Sequence, residues 1–97
     1  MYIPNLKTIE RTNKKLYERL INFIDKLEEN NLMNPIISIE GDIILCDWPA
    51  CVVKISHENY SIQKYGQDAI IYNDLNILII MIKEIITIKR SLPINIF

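Results

Sequence analysis

The dipeptide Gly41-Asp42 sits between two alternating segments, residues 36–40 and 43–48, and few folds accommodate that arrangement. A two-residue loop of this composition favours a tight hairpin turn. The turn sets the register, with Glu40 facing Ile43, Ile39 facing Ile44 and Ile37 facing Cys46. Side chains alternate across a strand, so one face carries Ile37, Ile39, Ile44, Cys46 and Trp48. The other carries Ile36, Ser38, Glu40, Ile43, Leu45 and Asp47.

The pattern continues beyond Pro49-Ala50. A third strand over 51–56 alternates Cys51, Val53 and Ile55 with Val52, Lys54 and Ser56, and the first set falls on the Trp48 face. A tight turn at His57-Glu58 pairs Ile55 with Tyr60 and leads into a strand ending near Lys64. Tyr60 and Ile62 then join the Trp48 face, with Ser61 and Gln63 opposite; a loop one residue longer reverses this. Tyr65-Gly66-Gln67-Asp68 reads as a turn, and 69–72 as a short last strand.

Helices flank this meander. Leu6, Ile9, Leu16, Leu20, Phe23, Ile24 and Leu27 recur at mostly three- and four-residue steps, which places them on one face of a helix over about 6–29. Asn5 or Thr8 is its expected N-cap, and Asn30, Asn31 and Asn34-Pro35 end it. A second helix, capped by Asn73 or Asp74, is expected over about 75–89. It is apolar nearly all round, which places it between the sheet and the first helix. The tail after Leu92-Pro93 alternates only weakly. The sequence thus predicts one α+β domain spanning 1–97: a four- or five-stranded antiparallel meander flanked by an N-terminal and a C-terminal helix.

Ninety-seven residues lie near the lower limit for a single core, and a hydrophobic fraction of 49% makes such a core attainable. Ile, Asn and Lys are abundant, as an AT-rich gene would encode, which points toward a phage or a mobile cassette. The longest uninterrupted apolar run, 77–82, falls far short of the roughly 20 residues of a membrane span. Residues 1–5 show no signal-peptide pattern, so a cytoplasmic protein is expected. Cys46 and Cys51 fit no metal spacing and are expected to be reduced and buried, although a cross-strand disulfide is conceivable.

No catalytic constellation is visible, and no P-loop, GxGxxG, GxSxG or CxxC motif is present. His57 is the only histidine, with no orienting partner nearby in sequence. Glu40, Asp42 and Asp47 lie in or beside an exposed hairpin and read as solvated carboxylates. These features predict a protein that is not an enzyme and needs no cofactor or metal. The formal net charge of −1 is unevenly spread: residues 36–76 hold Lys54 and Lys64 against six acids. Such a segment favours a basic protein partner over nucleic acid or a membrane.

If the helices cover the Trp48 face, the second face groups Ile36, Ile43, Leu45 and Val52 inside a polar, mostly acidic rim. That is the anatomy of a protein-binding site. Glu40, Asp42, Leu45, Asp47, Glu58, Tyr65 and Asp68 are its candidate contact residues. The competing arrangement puts one helix over this second face and leaves nothing exposed.

In size, composition, charge layout and helix-meander-helix order, the chain resembles bacterial immunity proteins encoded beside polymorphic or contact-dependent growth-inhibition toxins. No signature motif accompanies the resemblance, so no family residue transfers to a position here. It implies direct binding to a cognate toxin domain, of which many are basic nucleases. A dimeric acidic secretion chaperone or adaptor is the alternative, with the open face serving as a homodimer interface or client groove.

Overall fold

The structure, a computed structural model, describes residues 3–95 and the side chains of residues 3–87. Its elements are α1 (Leu6–Thr12), α2 (Lys14–Glu29), β1 (Ile36–Glu40), β2 (Ile43–Asp47), β3 (Cys51–Ile55), β4 (Tyr60–Lys64), β5 (Ile70–Tyr72) and α3 (Leu75–Asn95). The strands form one antiparallel sheet in sequence order, giving an α+β meander with helices at both ends.

The hairpin logic holds residue by residue. Gly41 takes a φ of 61°, a conformation that suits a residue without Cβ. Glu40 faces Ile43, Ile39 faces Ile44 and Ile37 faces Cys46. Ile55 faces Tyr60, so the His57-Glu58 turn is the tight one. The face carrying Ile37, Ile44, Cys46, Trp48, Cys51, Val53, Ile55, Tyr60 and Ile62 is buried throughout, and Ile39 at its edge is half-buried.

The N-terminal helix departs from expectation, because it is two helices broken at Asn13. That residue adopts an extended φ of −148°, and its N–H closes α1 on the Ile9 carbonyl. Its side-chain oxygen accepts from the Leu16 N–H at 3.3 Å and so opens α2. Asn5 does occupy the N-cap position of α1, but in a left-handed conformation and with no side-chain cap bond. At the other end, Asn31 takes a φ of 54° as expected of a left-handed helix stop. Asp74 caps α3 through a 2.8 Å bond from the Asn76 N–H.

A second correction concerns α3, which is not layered between the sheet and the first helix. Both α2 and α3 touch the sheet, α2 over β3 and α3 over β4 and β5. Five strands spaced about 4.8 Å apart make a face roughly 20 Å wide, and two helices of about 10 Å diameter fit on it side by side. Leu78, Ile79, Ile82, Ile85 and Ile86 of α3 are buried, while Ile77 and Ile80 on its outer side are exposed. The helix also runs past Lys89 to Asn95; Ile88 and the tail side chains lie outside the described ones.

Two side chains fasten α2 to the sheet. Phe23 meets Trp48 edge-on, with ring centroids 6.2 Å apart, and the Trp48 indole N–H donates to the Met33 carbonyl at 2.7 Å. Arg19 Nε donates to the Ser56 carbonyl at 2.7 Å, and its guanidinium lies 4.3 Å from the Tyr60 ring centroid. Its Nη2 is buried without a hydrogen-bond acceptor, so the ring face supplies electrostatic compensation there. Cys46 and Cys51 are free and buried.

Candidate interaction surface

With α2 and α3 both on the Trp48 face, the opposite face of the sheet is open among the described residues. Strand register arranges its side chains in rows across the strands. One row reads Ile36, Asp47, Val52 and Gln63. The central row reads Ser38, Leu45, Lys54, Ser61 and Ile71. Glu40 and Ile43 form the third. Ile36 is 77% exposed and Ile71 is 64% exposed, whereas Leu45 and Val52 between them are half-buried by their neighbours. Ile36, Ile43, Leu45 and Val52 thus group on the β1–β3 side of the face, and Lys54, Ser61 and Gln63 separate them from Ile71.

The charged residues do not form one continuous rim. Glu40, Asp42 and Glu58 gather at the end of the sheet where the β1–β2 and β3–β4 turns meet, and Asp42 and Glu58 line a shared depression with His57. Asp47 lies at the other end and lines a second depression with Lys64 and Tyr65. Asp68 is exposed in the β4–β5 connection at that same end, and Tyr65 is 97% exposed. The rows of Glu40 and Asp47 are separated by four residues of strand, roughly 13 Å. That exceeds the screening length of about 8 Å at physiological ionic strength, so the two acidic groups act as separate patches. Lys54 stands between them.

Lys54 and Ile71 were missing from the sequence-derived apolar centre. Alternation does place Lys54 on this face, but only the pairing of β2 with β3 and of β3 with β4 makes it central. Ile71 reaches the central row through the register of β5, which no turn motif in the sequence dictates.

His57 has a partner that the linear sequence hides. Its Nε2 lies 2.7 Å from Asn13 Nδ2, which is also 3.4 Å from Asp42 Oδ1. This group ties two turns to the helix break; no nucleophile takes part. Burial pushes the Cys46 thiol up to about 12, away from the thiolate that nucleophilic chemistry requires. Cys51 is raised to about 11 by burial and by Asp47, with Lys64 opposing. Among the described residues no cluster of three His, Cys, Asp or Glu could hold a metal ion, and no helix is long and apolar enough to cross a membrane.

Comparison with protein-family models, with curated proteins and with solved structures finds no match.

Proposed function

We propose that this chain is a small cytoplasmic protein-binding inhibitor of the immunity type, which neutralises a basic cognate toxin domain by direct contact. The observation that carries this reading is the placement of both helices on one side of the sheet. An uncovered face remains, with Ile36, Ile43, Leu45, Val52 and Ile71 between two acidic patches. Apolar side chains at the centre slow dissociation, and peripheral acids steer a basic partner into place.

The test uses the toxin domain encoded beside the gene, immobilised for surface plasmon resonance at two salt concentrations. Asp42→Lys with Asp47→Lys reverses one charge in each patch; association should slow sharply and lose its salt dependence. Leu45→Ala should speed dissociation instead. Normal binding by both variants, with association indifferent to salt, overturns the proposal.

A further inference from the structure

We infer that the free edge of β1 pairs antiparallel with β1 of a second copy of this chain, joining two sheets into one. The pairing uses a strand edge rather than the open face, and it stands whether or not that face binds a toxin.

The argument begins with backbone direction. In a two-residue hairpin the residues flanking the loop form a hydrogen-bonded pair, and bonded and non-bonded pairs alternate away from it. Glu40, Ser38 and Ile36 therefore turn their N–H and C=O groups toward β2. Ile37 and Ile39 turn theirs outward. Among the described residues β1 has β2 as its one strand neighbour, so these outward groups lack a strand partner.

Exposed edges are normally blunted by proline, lysine, a bulge or brevity. Within its five residues β1 has none of these: they match β2 without interruption, their one charge is the terminal Glu40, and the nearest proline, Pro35, precedes the strand. The opposite edge, β5, is only three residues long.

The strand is self-complementary about Ser38. A twofold axis there lets Ile37 exchange both bonds with Ile39 of the second copy, and Ile39 with Ile37. Ser38 then meets Ser38 as a non-bonded pair on the open face. Glu40 falls opposite Ile36, so like charges never meet, and the 77%-exposed Ile36 gains a neighbour. Half-buried Ile39 gains Ile37 of the second copy on the inner face.

Sedimentation equilibrium on the intact chain should give a mass near twice 11.4 kDa at high protein concentration. Ser38→Lys places like charges opposite each other on the axis and should weaken self-association about fivefold or more with the melting temperature retained. Ser38→Cys gives a site whose two Cα atoms lie about 4.5 Å apart across the axis, within disulfide reach. Under oxidised glutathione it should cross-link much faster than Ile36→Cys, while Cys46 and Cys51 stay buried. A mass that remains at the monomer value, a dimer untouched by Ser38→Lys, or equal cross-linking of the two cysteine variants overturns the inference.

Discussion

The side-chain amide of Asn13 donates to Nε2 of His57 across 2.7 Å, joining the break between α1 and α2 to the β3–β4 turn. Because the same amide's oxygen caps α2 at the Leu16 N–H, the group has no freedom to flip. One residue thus ends a helix through its backbone N–H, and its side chain starts another and holds two sheet turns beneath the junction.

Asn13→Ala should lower stability by about 1–2 kcal/mol in urea denaturation, since it removes a cap and the turn contacts together. Asn13→Asp keeps the cap oxygen and should fall between wild type and alanine. His57→Ala should cost about 1 kcal/mol and leave partner neutralisation unchanged. Loss of neutralisation with stability intact would revive a catalytic reading for His57.

Ile44 is fully buried in the second strand, facing Ile39 on one side and Ile55 on the other. Ile44→Ala should therefore destabilise by about 2–5 kcal/mol, measured by the shift of the urea midpoint. A neutral truncation would contradict the register.

The buried thiols make stability fall in alkali. The folded state holds Cys46 up to about 12 against an ordinary value of 9.0, so it favours the protonated thiol. Stabilisation is complete below pH 9 and is lost as pH rises toward 12, because the unfolded chain releases its thiol protons first. Cys51 adds a like loss between 9 and about 11. Denaturation midpoints measured across this range should decline less steeply for Cys46→Val than for wild type.

Lys54 sits in the central row between the two acidic patches, where it opposes the attraction of a basic partner. Lys54→Ala should raise the association rate with such a partner and steepen its dependence on salt. The comparison is made by surface plasmon resonance beside the Asp42→Lys and Asp47→Lys variants. An unchanged rate would show that the middle of the sheet lies outside the contact.

The meander was legible in the sequence because each of its first hairpins carries its own turn chemistry. Gly41-Asp42 sets one register, and period-2 alternation then groups Ile37, Ile44, Val53 and Ile55 on one face without reference to the rest of the chain; at His57-Glu58 two loop lengths were open, and the structure takes the tight one. Those are local rules acting over fewer than ten residues. The break at Asn13 was not legible. The heptad-like spacing of Ile9, Leu16 and Leu20 runs across it, and the reasons for breaking there, Asp42 and His57, are distant in sequence.

What the sequence determined by itself is the order of the strands, the register of the Gly41-Asp42 hairpin and the alternation that groups Ile37, Ile44, Val53 and Ile55 on one face. Only the tertiary structure decided that both helices lie side by side on that face, that β5 adds Ile71 to the opposite one, and that the acids separate into two ends with Lys54 between them. The physical reason is range. Turn geometry and side-chain alternation are encoded between neighbours, whereas the side on which a helix docks depends on how the whole sheet's width compares with two helix diameters.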